Sequence, residues 1–472
     1  MSSNITNESS EEIKEFFKLL NEDNEQKYID LIKNSSIKFW NYFDENGLSP
    51  LHKSISLYLY NLSREMIITA KNKLSEEEFN IFINYKTNKG QTPLHYASFI
   101  GDIKLIKFLI QNGADISIKT NNNFNLLHLA SMGNKATSFY YFFKKYNLDV
   151  NSKDTKDNTS FHLAIFFNSK KIFNYLLTNK TIDINLKNKG GFTPLHYAVM
   201  SKNKSMVKKL LMKGANYSVK NDKLESPYEL ATKNKDYYIQ NLLKGNRCKY
   251  SILNYSQYTK VFLIIVNLIS LSFIFYIKFD IRSIIYITWL IILLLFMFRF
   301  FLIDTTKFNN NQNYLLNLLE KEEISIEDYC LNCQIKQNEE MVHCLICNKC
   351  IEGFDHHCYW LNKCVGEKNI NSFYHLLWAM LTHSFINFVI CITGKYGKFD
   401  EDIYFKDYIM LAYIVFNGLN LIFTSIAICP LIKFYYTKTK KIKEKKNNYI
   451  AQISESKIGV RIPNSSDEDE IV

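Results

Sequence analysis

A period of 33–34 residues governs the first half of the chain. Thr-Pro-Leu-His-Tyr-Ala stands at 92–97 and again at 193–198, with weaker copies at 125–130 (Asn-Leu-Leu-His-Leu-Ala) and 160–164 (Ser-Phe-His-Leu-Ala). His95, His128, His162 and His196 are thereby 33, 34 and 34 residues apart. Ser-Pro-Leu-His-Lys-Ser at 49–54 precedes the series and Ser-Pro-Tyr-Glu-Leu-Ala at 226–231 follows it. Each copy leads into an apolar helical pattern, and Gly113 and Gly214 stand where a helix would stop on a left-handed residue. A unit of this length cannot bury its apolar face alone, so the period demands a stack. His52 precedes His95 by 43 residues, which implies an insertion of about ten residues in the first unit.

The pattern resembles ankyrin repeats over residues 45–245, in about six units, and it is strongest in the second and fifth. The resemblance implies a helix-pair solenoid that binds protein partners. Its histidines are expected to hydrogen-bond within their turns and not to ligate metal. Residues 1–44 form a polar N-terminal segment, and residues 1–30 are polar and acidic, without the basic start and apolar core of a secretory signal. The repeats are therefore expected in the cytosol, where thiols stay reduced.

Four apolar runs follow, at 261–277, 284–303, 372–392 and 408–432. Each approaches the ~20 residues that cross a bilayer as a helix. An even number of crossings puts both ends on one side, and the six residues 278–283 make a tight luminal hairpin. The lysines after the fourth run mark that side as cytosolic. The formal charge of +12 suits nucleic acid or anionic lipid. The basic cluster beside the last run favours the lipid surface, and nucleic acid is not expected as a partner. Residues 433–472 form a basic and then acidic tail.

Seven of the ten cysteines lie between Cys330 and Cys364. With His343, His356 and His357 they offer ten donors, and the Cys-x-x-Cys steps at 330/333, 344/347 and 347/350 have zinc spacing. Two closed tetrahedral sites consume eight donors and leave two. Spacing does not single out the remaining pair. His356 and Cys358 are candidates because Asp355 stands beside them, and a carboxylate, imidazole and thiol together form an activated nucleophile.

The stretch from Cys330 to Phe373 resembles the cysteine-rich domain of DHHC-type protein S-acyltransferases (palmitoyltransferases). The resemblance rests on Asp355-His356-His357-Cys358, Trp360, Asn362, Cys364, Gly366, Asn369 and Phe373. Tyr359 stands where the family usually has proline, and Asp304-Thr305-Thr306 where it has Asp-Pro-Gly. The resemblance implies one zinc on Cys330, Cys333, His343 and Cys350 and a second on Cys344, Cys347, His357 and Cys364. It leaves Cys358 as nucleophile, His356 as base and Asp355 as its orienting partner. The expected fold is mostly α. An ankyrin solenoid (45–245) precedes a four-helix transmembrane bundle (261–303 and 372–432), which carries a small cytosolic two-zinc domain (304–371). The expected activity is transfer of a palmitoyl group from acyl-CoA to cysteines of proteins at the cytosolic face. The expected place is an endomembrane such as the Golgi, as a multi-pass protein with both termini and the zinc domain cytosolic. A membrane scaffold without catalysis is the alternative. A ubiquitin ligase with cross-braced zincs needs wider ligand spacing, and a zinc hydrolase needs an open metal position.

Overall fold

The computed structural model describes residues 25–34, 40, 42–179, 181–244, 281–307, 309, 311, 313–322, 326–358 and 361–394. They belong to two compact units, one of residues 1–252, 308–338 and 459–472, the other of 253–307 and 339–458.

Among the described residues the first unit begins with α1 (Glu25–Asn34), whose Tyr28 and Ile32 are buried. Six helix pairs follow: α2 (Pro50–Ser56) with α3 (Tyr60–Lys73), α5 (Pro93–Ile100) with α6 (Ile103–Gln111), α7 (Leu126–Met132) with α8 (Ala136–Lys145), α9 (Ser160–Phe166) with α10 (Lys170–Thr178), α11 (Pro194–Met200) with α12 (Lys204–Met212), and α13 (Pro227–Lys233) with α14 (Tyr237–Lys244). The extra helix α4 (Glu76–Ile83) accounts for the long first interval. Gly113 and Gly214 adopt φ of +93° and +86° after α6 and α12, the conformation in which a side chain would be strained.

The repeat histidines occupy the third position of their helices. In α2, α5, α7, α9 and α11 the imidazole Nδ1 accepts from the N-cap backbone N–H at 3.0–3.4 Å. This reciprocates the cap that usually pairs with Glu or Gln. Nε2 of His52, His128, His162 and His196 then reaches a carbonyl of the next repeat, on Gln91, Asn158, Leu186 and Glu225, at 3.1–3.3 Å. The histidines thus stitch turn to helix, as expected, and four of them also join their repeat to the next.

Helix α15 (Ile281–Leu302) and strand β1 (Thr306–Lys307) lie in the second unit, whereas α16 (Tyr314–Glu322) returns to the first. There the segment from α16 through the hairpin β2 (Tyr329–Cys330) and β3 (Ile335–Lys336) rests on the second helices of the repeats. Lys107 Nζ of α6 donates to Glu320 O at 3.0 Å, and Lys145 of α8 pairs with the Glu320 carboxylate at 2.8 Å. Thr178 at the end of α10 donates to Asn332 Oδ1 at 2.7 Å.

The second unit pairs α15 with α17 (Ile370–Gly394). Beside them β1, β5 (Lys349–Glu352) and β4 (Met341–Cys344) form an antiparallel sheet, and β6 (His356–Cys358) pairs with β7 (Lys363–Val365). Leu293 and Phe300 of α15 and Phe373, Leu376 and Ala379 of α17 enclose a core that includes Cys358, Leu361 and Val365. Outside this core both helices expose large apolar side chains, among them Leu295, Phe298, Trp378 and Phe385, each more than half exposed.

The second and third apolar runs fall on α15 and α17, and the first and fourth lie outside the described residues. Among the described residues no helix is long and apolar enough to cross a membrane. The chain is therefore mostly helical, with an ankyrin array and a cysteine-rich cluster.

Candidate active site and metal centres

The β6–β7 hairpin separates two chemistries by strand alternation. Successive side chains of a strand point to opposite faces, and directly opposed residues share a face. The register pairs His356 with Val365, His357 with Cys364 and Cys358 with Lys363. His357 and Cys364 therefore share one face, and His356 and Cys358 share the other.

On the first face His357 Nδ1 lies 3.8, 3.3 and 3.5 Å from the Sγ atoms of Cys344, Cys347 and Cys364, and the sulfurs of Cys347 and Cys364 are 3.3 Å apart. The four donors all lie within 4.8 Å of one another. Tetrahedral zinc with Zn–S of ~2.3 Å and Zn–N of ~2.0 Å sets donor separations of about 3.5–3.8 Å, so the set fits. Hydrogen bonds from Cys347 and Cys364 drive the Cys344 thiol far below its usual range, while Cys344 and Cys347 push Cys364 far above. Sulfurs this close cannot all ionise by themselves, and a dication between them removes that conflict. The other expected donors, Cys330, Cys333, His343 and Cys350, form a second set that could hold an ion. Within it, His343 Nδ1 and Cys350 Sγ face each other across β4 and β5 at 3.8 Å.

On the second face the Asp355 carboxylate bonds His356 Nδ1 at 2.8 Å. This fixes the ring so that Nε2 remains for the Cys358 thiol on the same strand face. Burial alone would lower the imidazole. The bond to Asp355 and the neighbouring Cys358 outweigh it and lift His356 to about 9. Phe373 meets the His356 ring edge-to-face at 5.3 Å and contacts Phe300 at 5.7 Å. The thiol thus sits in an apolar cluster with an ionisable pair at its edge, and it belongs to neither set of four donors.

Two residues that the sequence reading passed over hold this geometry. Lys363, opposite Cys358 in the hairpin, donates to the carbonyls of Phe300, Phe301 and Ile303 at 2.7–3.0 Å. These are orphan acceptors at the end of α15, where a cation is favoured. Phe300 supplies the ring behind Phe373. Nothing near Lys363 in sequence announces carbonyl partners some sixty residues earlier. Asn369, one of the resemblance residues, donates to Cys364 O at 3.0 Å and accepts from Gly366 N at 2.9 Å, which ties β7 to the start of α17. Asp304 accepts from the Thr306 backbone and hydroxyl at 2.9 and 2.7 Å. That closes a turn where the family has Asp-Pro-Gly. Tyr359 and Trp360 lie outside the described residues.

Residues 323–452 match the family model of the DHHC palmitoyltransferase. Residues 22–120, 66–154 and 127–221 match the model of ankyrin repeats in three copies. Palmitoyltransferase ZDHHC8 of Drosophila melanogaster is 38% identical over 64 residues, which are 14% of this chain and 7% of that protein. Palmitoyltransferase Hip14 of the same organism is 32% identical over 85 residues, 18% of this chain and 12% of that protein. Palmitoyltransferase ZDHHC9 of Bos taurus is 48% identical over 46 residues, 10% of this chain and 13% of that protein. The aligned stretches thus span between 7% and 13% of the lengths of these relatives. By motif, donor geometry and family match, the chain joins an ankyrin-repeat array to a DHHC palmitoyltransferase domain.

Proposed function

We propose that this protein is a membrane-bound protein S-acyltransferase. It moves a long-chain acyl group (palmitoyl) from acyl-CoA through a thioester on Cys358 to cysteines of proteins at the cytosolic face. One observation carries the reading: Cys358 stands outside both donor sets, on the strand face that also bears His356, with Asp355 2.8 Å from that imidazole.

His356 takes the proton from Cys358 Sγ. The thiolate adds to the thioester carbonyl, the bond to CoA sulfur breaks, and His356 returns the proton to the departing CoA thiolate. An acceptor cysteine then gives its proton to His356 and attacks the acyl-enzyme, and Cys358 Sγ leaves and is reprotonated. The exchange trades one thioester for another, so the protein contributes mainly positioning and nucleophile activation. Two zinc ions serve as structural pins, one on Cys330, Cys333, His343 and Cys350 and one on Cys344, Cys347, His357 and Cys364. The second holds the hairpin whose other face carries the thiol.

The four apolar runs span an endomembrane, the Golgi by the family's habit, as a four-helix bundle with both termini and the zinc domain cytosolic. The apolar side chains exposed on α15 and α17 support a lipid environment, since an outward belt of this kind is unfavourable in water. The ankyrin array recruits substrates. Incubation with labelled palmitoyl-CoA tests the reading: hydroxylamine-sensitive label should appear on the protein and fall at least a hundredfold in Cys358→Ser. Equal labelling of the two proteins would remove Cys358 from the mechanism.

A further inference from the structure

We propose that the turn edge of the ankyrin array docks an extended acidic segment of a protein partner. The inference deepens the recruiting role given to the array above and rests on that reading.

One face of the array is already taken. The second helices of three successive repeats, α6, α8 and α10, hold the chain's own segment from Glu320 to Asn332 through Lys107, Lys145, Thr137 and Thr178. The turns between repeats present a different surface. Lys86, Lys119, Lys153, Lys187 and Lys220 recur at intervals of 33 or 34 residues, one in each of five successive turns, and all five are exposed. Backbone bonds run from turn to turn, Asn121 N to Lys89 O, Thr155 N to Asn122 O and Lys189 N to Lys156 O at 2.9–3.0 Å. These hold the lysines on a continuous rigid edge. The acids of these turns are largely engaged elsewhere: Asp115, Asp149 and Asp183 accept from backbone N–H groups of their own turns at 2.7–2.9 Å, Asp154 is buried against Asn158, and Asp157 reaches Lys153 only at 3.8 Å. Residues 45–245 carry 29 Lys and Arg against 15 Asp and Glu, so the array is a basic body in its own right and the tail is not the sole seat of positive charge.

Like charges held in a row by rigid backbone repel one another, and a chain of carboxylates laid along the row relieves that repulsion. A line of single cations at repeat spacing suits an extended polypeptide. Such a partner is selected by charge and gains mainly in encounter rate, with strong dependence on salt.

The test uses the full-length protein in nanodiscs and a fluorescein-labelled peptide of ten alternating Asp and Glu residues, with phosphatidylserine vesicles as a second probe. The peptide should bind saturably and weaken as salt rises. The triple variant Lys119→Glu, Lys153→Glu, Lys187→Glu should raise the peptide Kd at least tenfold, and the triple Gln variant at these sites about threefold. A control with the same charge change on the helical side, Lys208→Glu, Lys213→Glu, Lys235→Glu, should change it less than threefold. Equal weakening in both Glu variants, or ladder-dependent binding of vesicles without binding of peptide, overturns the proposal. Cys358→Ser should bind the peptide as wild type does. Loss of peptide binding therefore leaves the acyl-transfer reading untouched, and failure of Cys358 labelling leaves this one untouched.

Discussion

At the scale of single residues the chemistry depends on which way two neighbours point. His356 and His357 are adjacent, yet strand alternation sends one toward the thiol and the other among the sulfurs. Asp355 then decides the state of His356. Its carboxylate, with Cys358, holds the imidazole at about 9 against burial. The imidazolium therefore persists below that value and is lost as pH rises through it. Asp355→Asn should pull His356 down toward its ordinary value and release the Nδ1 anchor. Single-turnover labelling from pH 6 to 10 should show a rate lower by roughly 10²-fold, with the alkaline limb moved to lower pH. An unmoved limb would make Asp355 a bystander. The sequence made Asp355, His356 and Cys358 visible because counting donors left a remainder. Lys363 and Phe300 stayed invisible because strand register and a helix end sixty residues away determine their roles.

At the scale of elements the clearest dependence runs between distant parts of the first unit. The N-cap residue of α8 is Lys135, which supplies no side-chain cap. The missing acceptor arrives from 190 residues away: Glu327 Oε1 accepts from Thr137 N and Thr137 Oγ1, each at 3.3 Å, and Thr137 Oγ1 accepts from Ile326 N at 3.2 Å. A carboxylate at a helix N-terminus satisfies an orphan donor and favours the dipole. Five residues on, Asn332 between Cys330 and Cys333 is tied to Thr178. Glu327→Ala should cost about 1 kcal/mol locally. Amide exchange should quicken at 136–139 and across 326–333 together, while α11 and α12 stay unchanged. Faster exchange at 136–139 alone would mean that the two segments do not share an opening. Periodicity revealed the helix pairs, since burial of one face every turn imposes it. It did not reveal α4 beyond an interval of excess length, nor the cap on α8, because no local pattern records a partner supplied by another stretch of chain.

At the scale of the whole molecule the repeat histidines impose a common response to acid. Their Nδ1 atoms accept from N-cap amides and so must stay unprotonated. A proton there would face an N–H with an N–H. Burial accordingly lowers His52 to about 3 and His95, His128, His162 and His196 to about 4. The unfolded chain takes up protons near pH 6.5, so between 6.5 and about 4 the unfolded state binds more protons and stability falls with pH. Above 6.5 both states are neutral and nothing is lost. Each histidine removes about 1.4 kcal/mol per pH unit inside the window. Five acting on one stack rival the roughly 5–15 kcal/mol that holds a domain. Because neighbouring repeats share their cores and their histidine bonds, the loss should spread along the array and not stay in one turn. Amide exchange in the repeats, corrected for intrinsic rates, should show opening that grows steeply from pH 6.5 to 5 across all six helix pairs. Glutamine can fill the third helical position of a capping box without titrating. His128→Gln with His162→Gln should therefore cut that slope by about two-fifths and leave stability at pH 7.5 within about 1 kcal/mol of wild type. A slope left unchanged by the two substitutions would assign the acid response to the carboxylates instead.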